Sequence, residues 1–313
     1  PLAAARADLL PWRPADPVSL RDHPHGLDTA IAAPSATTTG AEGPVASRRR
    51  AGRQVRSAIR IKVVSDIHGA ADALRREAAG ADALLVCGDL VNLIDYRTMQ
   101  GIATDVFGAE VMRDFVALRT AGRFDEAGGV LRRAVGGREA EVRELVRAAC
   151  RVQYEAVFAA FPRHTYLTHG NVDSPDQFQD LLRPGVRHLD AETVELDGLR
   201  VGFVGGGLPR GSRPHLGECT HEEFAAKVAS LGPVDVLCSH MPPAVDDLRF
   251  DTVAGRPEPG SQALVDYVEE HQPDYLYFGH VHQPRVSRTR IGRTWLVNVG
   301  YFRGTGRMLD HPA

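Results

Sequence analysis

The sequence predicts an α/β fold, in which short buried strands alternate with amphipathic helices. Apolar runs such as IRIKVVS and ALLVC recur along the chain and end near Gly, Asp or His, which is typical of strands in a parallel sheet. Between them stand segments with Arg and Glu at helical spacing. The composition, 43% hydrophobic and 25% charged, is that of an ordinary globular domain. We therefore predict one main α/β domain over residues 58–313.

Residues 1–57 differ in composition from the rest of the chain. They contain seven prolines, the Ala/Ser/Thr-rich stretch AAPSATTTGAEGP and the basic cluster RRRAGRQVR, without sustained apolar periodicity. This pattern predicts a disordered N-terminal tail. A secretory leader places positive residues before an apolar core, whereas here the arginines come last. Export is therefore not expected.

Charge and cysteine usage narrow the classes of partner. A net charge of -3 gives no general attraction to polyanions, so nucleic acid is not expected as a partner. No apolar run approaches the roughly 18 residues that a membrane helix needs, so no membrane partner is expected. Four cysteines without C-x-x-C spacing favour neither a zinc ribbon nor a disulfide framework. We predict a cytoplasmic protein with Cys87 and Cys238 in its core, and leave an oligomer open.

The first half of the domain predicts a βαβ unit followed by helices. IRIKVVS predicts a strand, AADALRREAA a helix and ADALLVCGD a second strand, by their periods of apolar residues. Residues 95–162 predict two or three helices, because Arg and Glu recur four residues apart in GREAEVRELVRAAC. We interpret 95–162 as a helical insertion.

The second half predicts further strands and helices in alternation. In order they are a strand in HTYLT, a helix beginning at Ser174-Pro175-Asp176, a hairpin in TVELDGLRVGFVGG turning at Asp197-Gly198, a helix over 220–231, a strand in VDVLCSH, a Pro/Asp/Gly-rich loop over 241–259, a helix over 261–271, a strand in DYLYFGH, and a final hairpin about Ile291-Gly292. The turn residues and apolar periods carry each of these predictions. No internal repeat interrupts them.

Five of the predicted strands are each followed by side chains that bind metals. These side chains are Asp66, His68, Asp89, Asn171, His240, His280 and His282. Any one of them alone is more often a helix cap, a turn residue or a structural histidine. Together they indicate a site, because the carboxyl ends of parallel strands converge on one crevice and buried ionisable groups are costly unless paired or metal-bound. Carboxylate, amide and imidazole ligands suit Mn, Fe or Zn rather than calcium alone.

The order D-x-H, G-D, G-N-x-D, H and G-H-x-H resembles the calcineurin-like metallophosphoesterase superfamily over about residues 59–302. The resemblance implies a four-layer αββα sandwich holding two divalent transition-metal ions, Mn²⁺, Fe²⁺/³⁺ or Zn²⁺. It further implies that a metal-bridging hydroxide attacks the phosphorus of a small-molecule phosphate ester. The implied ligands are Asp66, His68 and His282 for the first ion; Asn171, His240 and His280 for the second; and Asp89 bridging both. Asp89, Asn171 and His240 are the implied catalytic residues.

The third motif departs from the family pattern, since Val172 stands where G-N-H-D/E has its histidine. In the family that histidine is thought to stabilise the transition state or protonate the leaving oxygen, and valine does neither. We predict that Val172 lies beside the metal pair, that Asp173 caps the helix beginning at Ser174, and that His169 does not substitute. A phosphodiester or an activated phosphomonoester is then the expected substrate. We expect the insertion at 95–162 to set substrate choice or oligomeric contacts and not to supply metal ligands, because its polar residues follow helical salt-bridge spacing.

Two rival functions stay open at this point. Val172 also fits a catalytically weak metal-binding scaffold or regulator, although retention of all seven ligands argues against it. The basic segment RRRAGRQVR at 48–56 would suit a nuclease, but such runs are more often solvated disorder. Asn92 fits either phosphate contact or a bond to the loop backbone. Asn298-Val299-Gly300 resembles a closing segment of the family that we interpret as structural.

Overall fold

The computed structural model describes residues 59–210, 214 and 216–312. The predicted tail at 1–57 lies outside these residues. The first half contains β1 (Ile61–Val64), α1 (Ala71–Glu77), β2 (Ala83–Cys87), α2 (Ile102–Phe107), α3 (Ala109–Thr120), α4 (Phe124–Val135), α5 (Glu139–Ala160), β3 (Thr165–Thr168) and β4 (Val186–His188), with 3₁₀ turns at Pro175–Gln177 and Gln179–Leu181. The second half contains β5 (Glu192–Leu196), β6 (Leu199–Val204), α6 (His221–Ser230), β7 (Val236–Ser239), α7 (Asp246–Arg249), β8 (Phe250–Asp251), β9 (Arg256–Pro257), α8 (Gln262–His271), β10 (Tyr275–Phe278), β11 (Arg288–Ile291), β12 (Thr294–Asn298), α9 (Phe302–Thr305) and β13 (Leu309–His311).

Two mainly parallel sheets form the centre of the described domain. One has the order β13-β1-β2-β3-β4, and the other has the order β11-β12-β10-β7-β6-β5. Strands β1 to β4 run parallel, and β13 joins β1 antiparallel. In the second sheet β12, β10, β7 and β6 run parallel, with antiparallel edges at β11 and β5. In each sheet the parallel strands therefore end along a common edge.

Side chains on the two faces of these sheets build a four-layer sandwich. On β2, Leu84 and Val86 point to one side and pack with Leu74 of α1 and Tyr154 and Phe158 of α5. Leu85 and Cys87 point to the other side and pack between the sheets with Phe203, Cys238 and Tyr277. On the outer face of the second sheet, Leu237 and Leu276 pack with Phe224 of α6 and Leu264 of α8. The predicted αββα fold is confirmed.

The helical stretch after β2 contains more helices than the sequence predicts, and it packs more closely on the first sheet. It contains four helices, α2 to α5, within the described residues, where we expect two or three. The last helix, α5, buries Cys150, Tyr154 and Phe158 against the first sheet. The Arg and Glu residues of α5 lie on its exposed face and give no sign of the apolar face that packs on the sheet. Thus α5 belongs to the outer layer of the sandwich, and α2 joins the same core through Ile102. Helices α3 and α4 pack mainly on each other.

Three other elements differ from expectation. The helix predicted at Ser174 is a pair of 3₁₀ turns, and the predicted loop 241–259 contains α7 and the short β8-β9 ladder. The edge strands β4 and β13 have no counterpart in the prediction. The hairpin at Asp197-Gly198 is confirmed, with φ of 49° and 82° at its two turn residues, as a type I′ turn requires.

Cys87 and Cys238 are free and fully buried between the sheets, so their predicted place in the core is confirmed. Within the described part of the chain, no helix has the length and apolarity that crossing a bilayer requires.

Candidate metal centre

The seven predicted ligands lie together at the carboxyl ends of five strands. Asp66 and His68 follow β1, Asp89 follows β2, and Asn171 follows β3; His240 follows β7, and His280 and His282 follow β10. The first three strands belong to one sheet and the last two to the other. The side chains therefore meet where the two sheets adjoin, as the convergence of parallel strand ends predicts.

Asp66, His68 and His282 form the first cluster. The Nε2 atom of His282 lies 3.2 Å from Asp66 Oδ1 and 3.3 Å from His68 Nε2. His68 Nε2 lies 3.6 Å from the same carboxylate oxygen. One carboxylate and two imidazoles thus face a common point, an arrangement that suits a divalent ion of the first transition series.

Asn171, His240 and His280 form the second cluster. The carbonyl oxygen of Asn171 lies 2.9 Å from His240 Nε2 and 2.9 Å from His280 Nδ1. The backbone N–H of His280 donates to Asp66 Oδ2 at 3.0 Å, which ties this cluster to the first. An amide oxygen and two imidazole nitrogens also suit one ion of the first transition series.

Asp89 lies between the two clusters. Its Oδ2 atom lies 3.6 Å from His68 Nε2, and its Oδ1 atom lies 3.4 Å from His240 Nε2. The two oxygens of one carboxylate therefore face different clusters, as a bridging ligand requires. Oδ1 also accepts a hydrogen bond of 3.1 Å from the backbone N–H of Val172.

Backbone carbonyls orient two of the histidines. The Nδ1 atom of His68 lies 3.0 Å from the carbonyl oxygen of Val91, and that of His240 lies 2.9 Å from the carbonyl oxygen of Cys87. If each Nδ1 carries the proton and donates it, each Nε2 presents a lone pair to the clusters. Such hydrogen bonds fix the tautomer and the ring orientation of metal-binding histidines.

Four of the seven residues adopt left-handed backbone conformations. The φ angles of Asp66, His68, Asp89 and His280 are 54°, 42°, 55° and 68°. This region costs an L-residue of this kind about 1–2 kcal/mol, and such strain concentrates at functional sites. At each of these residues the chain leaves its extended conformation, at or just beyond the end of a strand, and the side chain turns toward the other candidate ligands.

Tight loop packing depends on the glycines that precede two ligands. At Gly88 the φ angle is 91°, and a Cβ atom there would lie 2.6 Å from the backbone nitrogen of Gly170. Such a distance is far below van der Waals contact, so the loops after β2 and β3 approach closely only because glycine occupies this position. That approach brings Asp89 next to Asn171.

Burial and opposite charges perturb the ionisable groups of the site. Burial by itself raises the pKa of Asp66, but its hydrogen bonds with His282 and His68 hold that pKa well below the ordinary value. Burial lowers the pKa of His68, yet the carboxylates of Asp66 and Asp89 outweigh it and raise the pKa to about 8. Burial also holds the pKa of His280 well below the usual range. The Asp66 carboxylate therefore stays charged and attracts positive charge to the site.

The residues present fit a metal. Two groups of side chains are compact enough to hold an ion, one formed by Asp66, His68 and His282 and the other by Asp66, Asp89 and His240. With its Nδ1 proton donated to Val91, His68 directs a lone pair toward two carboxylates, an arrangement that needs a proton or a cation between them. No residue of 95–162 belongs to either group among the described residues.

Asp173 has a different role from the predicted helix cap. Its carboxylate is fully buried and accepts hydrogen bonds from the backbone N–H groups of Leu90 at 2.9 Å and Gly170 at 2.8 Å. Ser174 begins the 3₁₀ turn without a side-chain cap. Burial and the nearby charge of Asp89 raise the pKa of Asp173 to about 6. Asp173 thus links the loops that carry Asp89 and Asn171, instead of capping the next turn.

Three further predictions concern neighbouring side chains. The backbone N–H of Val172 donates a hydrogen bond to Asp89, while the valine side chain packs against the apolar cluster under α1 and α5. His169 bonds His188 through Nδ1 at 3.1 Å, so that nitrogen is occupied outside the candidate ligand set. Asn92 donates its amide to the carbonyl of Gln100 at 3.1 Å. Of the two roles open to Asn92, phosphate contact or a bond to the loop backbone, the structure contains the bond to the backbone.

The sequence does not reveal the aromatic contact of Tyr301. Its ring stacks on His282 and meets His68 edge-on, and its hydroxyl donates to Asp95 at 3.2 Å. The nearby Asn298 donates to the carbonyl of Val281 at 3.0 Å, which supports the loop between His280 and His282. The N-V-G-Y segment that begins at the end of β12 is the local signal that could have located both residues.

A model of the family described as calcineurin-like phosphoesterase matches residues 59–284 of this chain. No curated protein matches the chain. Among solved structures it is similar to the protein TT1561 of Thermus thermophilus, at 15% sequence identity and a TM-score of 0.46, over 81% of this chain and 98% of that chain. The family match covers well over half of the sequence and includes all seven candidate ligands. On that match, the chain belongs to the calcineurin-like phosphoesterase family.

Proposed function

We propose that this protein is a binuclear metal-dependent phosphoesterase that hydrolyses a phosphodiester or an activated phosphomonoester. The observation that carries the proposal is the position of Asp89, whose two carboxylate oxygens face different clusters of ligands. A single ion would need only one of those clusters, whereas two ions need a shared ligand between them. The family supports a metal-dependent phosphoesterase, and the binuclear mechanism is our proposal.

The seven ligands divide between two ions. The first ion would be held by Asp66, His68 and His282, the second by Asn171, His240 and His280, and both by Asp89. When bound, such a pair activates water for in-line attack on phosphorus and neutralises the charge of the phosphoryl oxygens. We assign catalytic roles to Asp89, Asn171 and His240 because they lie where the clusters meet. Mn²⁺, Fe²⁺/³⁺ and Zn²⁺ all suit these ligands.

The substrate preference follows from Val172. Its side chain has no proton to donate, and its backbone N–H is already donated to Asp89. A leaving oxygen that is basic needs protonation as its bond to phosphorus breaks, and loss of a general acid typically costs 10²- to 10⁴-fold. Small phosphodiesters and esters with stable leaving groups are therefore the proposed substrates. A cytoplasmic location remains a prediction from cysteine usage.

A catalytically weak scaffold or regulator is the second candidate, and Val172 is the observation that favours it. Such a protein would need the ions for folding but not for turnover. The strained backbone at Asp66, His68, Asp89 and His280 argues against it, because strain of this kind has a cost that stability alone does not repay.

Hydrolysis by the metal-loaded full chain tests the proposal. Separate samples loaded with Mn²⁺, Zn²⁺ or Fe²⁺ are assayed with bis(p-nitrophenyl) phosphate and with p-nitrophenyl phosphate. We expect turnover, with higher kcat/KM for the diester. His240→Ala should abolish it, whereas His221→Ala, which changes an exposed histidine at the start of α6, should not. Absence of turnover with every metal, or full turnover in His240→Ala, would contradict the proposal.

A further inference from the structure

Three arginines converge on one aromatic ring beside the candidate metal centre. Arg119 lies in the last turn of α3, Arg210 lies in the loop after β6, and Arg256 begins β9. Their guanidinium carbons lie 5.0, 5.8 and 5.3 Å from the ring centroid of Phe124. Each contact is favourable on its own, at about 0.5–2 kcal/mol. Three like charges around one ring also repel one another. We call Arg119, Arg210 and Arg256 the arginine cluster.

The positive charge of the arginine cluster is only partly neutralised. Arg210 pairs with Glu258. Within residues 59–210, 214 and 216–312, neither Arg119 nor Arg256 forms an ion pair, and the Nε atoms of both are buried without a hydrogen-bond partner. Asp251 also lies close enough to influence Arg210, but its Oδ1 atom accepts backbone hydrogen bonds from the turn that follows it. A buried donor without a partner is unusual and calls for one.

Repulsion within the cluster appears in the acidity of Arg210. Burial, followed by the charges of Arg256 and Arg119, lowers the pKa of Arg210 to about 10. A negatively charged group placed between these side chains would compensate the burial of Arg210 and reduce the repulsion among the three arginines. Guanidinium groups have a planar fork of donors that matches carboxylate and phosphate oxygens. Next to the site of a phosphoesterase family member, a phosphoryl group is the anion we expect there.

The side chain of Glu258 lies between the arginine cluster and the candidate metal ligands. Glu258, the partner of Arg210, has its Oε2 atom 3.8 Å from His280 Nε2. That imidazole nitrogen is buried and has no hydrogen-bond partner among the described residues. A substrate whose scissile phosphate sits at the ligands could therefore reach the arginines with a group a short distance away.

Residues of the helical stretch outside the sandwich supply part of the cluster. Arg119 and Phe124 come from α3 and α4, and Arg256 donates to the backbone carbonyl of Arg119 at 2.9 Å. The hydrogen bond attaches these helices to the loop that carries Glu258. This geometry gives the predicted insertion a specific task in substrate choice.

We propose that Arg119, Arg210 and Arg256 bind a second phosphoryl group of the substrate, separate from the scissile phosphate. The proposal rests on the proposed function, because it places the first phosphate at the metal ligands. The preferred substrate is then a small molecule with two phosphoryl groups, of which one is hydrolysed and the other is held by the arginines.

Binding of phosphonates tests this proposal without hydrolysis. The metal-loaded full chain is titrated calorimetrically with alkane α,ω-diphosphonates, from propane to hexane, and with the alkyl monophosphonates of equal length. These probes contain only carbon–phosphorus bonds and are not cleaved. We expect at least one diphosphonate to bind about fivefold or more tightly than its monophosphonate, because charge-assisted guanidinium bonds are among the strong ones.

Two variants and a matched control assign that advantage to the cluster. Arg119→Gln and Arg256→Gln should each remove most of it; Arg119→Gln is the safer variant, because its side chain makes only ring contacts within the described structure. Arg113→Gln changes an exposed arginine of the same helix and should keep the advantage. A smaller advantage in the unmodified protein, or one that survives both cluster variants, overturns the proposal.

The same samples separate this proposal from the proposed function. If bis(p-nitrophenyl) phosphate is hydrolysed but diphosphonates have no advantage, the phosphoesterase assignment stands and the arginine subsite is wrong. If diphosphonates have the advantage and lose it in the variants, but no ester is hydrolysed with any metal, the subsite stands and the proposed function is wrong.

Discussion

The ring of Tyr301 stacks on the ring of His282, with centroids 4.0 Å apart and planes inclined by 9°. His282 is half-buried, while Asp66 and His68, the other members of the first cluster, are buried. The stacked ring therefore restricts the most exposed residue of the first cluster. It does so through packing, because the tyrosine hydroxyl is donated to Asp95.

Replacing Tyr301 by alanine should weaken binding at the first cluster. Loss of an outer contact to a ligand typically costs 10- to 100-fold in metal affinity, and we expect an effect near the lower end. Tyr301→Phe keeps the ring and should change the affinity little. Competition with a chelator measures both. Equal losses in the two variants would mean that the hydroxyl, not the stacked ring, is responsible.

Asp89→Asn should lower hydrolysis by several orders of magnitude. The amide keeps the shape of the side chain but removes the charge that faces both clusters, and bridging of two cations depends on that charge. The measurement is kcat/KM in the presence of excess metal. Asp72→Asn, which changes an exposed carboxylate of α1, is the control. Near-normal turnover in Asp89→Asn would remove the basis of the binuclear assignment.

The purified and metal-loaded protein should retain about two ions per chain, since seven ligands exceed what one tetrahedral site uses. His282→Ala should retain about one, because it removes a ligand of the first cluster only. Elemental analysis after dialysis measures these stoichiometries. Chelation should abolish hydrolysis, and added metal should restore it. One ion or none in the unmodified protein would favour a mononuclear site or the scaffold alternative.

Val172→His should raise hydrolysis of esters with poor leaving groups more than that of p-nitrophenyl esters. A general acid contributes most where the departing oxygen is basic. The neighbouring Asp173 could orient the new imidazole, but its carboxylate already accepts hydrogen bonds from Leu90 and Gly170, so the gain should fall short of a full acid. A leaving-group series measures it. Equal gains for all esters would indicate electrostatic stabilisation instead.

Asp173→Asn should destabilise the fold by about 1–3 kcal/mol, the usual cost of leaving a buried group unsatisfied. Both of its carboxylate oxygens accept backbone N–H bonds, and an amide would direct its own NH₂ at one of them. Asp176→Asn, in an exposed ion pair with Arg147, should cost much less. Urea unfolding gives both values. Similar losses would mean that Asp173 does not hold the two loops together.

The fold class and the set of seven polar residues could be predicted because the signals are local. Each of these residues follows a strand whose apolar run is visible in the sequence, as Asp89 follows ALLVC. Parallel topology then determines that the strand ends meet. The distances between these side chains therefore did not have to be known in advance.

The missed strands lack such a signal. β4 reads VRH and β13 reads LDH, and each is three residues long. They are extended because they pair with β3 and β1, not because of their own composition. Likewise, the Arg and Glu spacing of α5 predicts a helix but does not say that its other face packs on a sheet.

The arginine cluster was beyond local prediction for a similar reason. Arg119 and Phe124 are close in sequence, but Arg210 and Arg256 come from two other segments far along the chain, and nothing in their spacing indicates that the three segments meet. Tertiary packing decides such contacts, and only the folded chain reveals them.

The left-handed backbone at four of the candidate ligands also limits which sequences this crevice can accept. Glycine would adopt those φ angles without strain, so a glycine at Asp89 or His68 would relax the backbone by about 1 kcal/mol while deleting a ligand. Beta-branched residues would fit worst there. A single substitution to glycine at such a position would therefore give a chain with a less strained backbone but one candidate ligand fewer, so backbone strain and ligand supply are opposed at these positions.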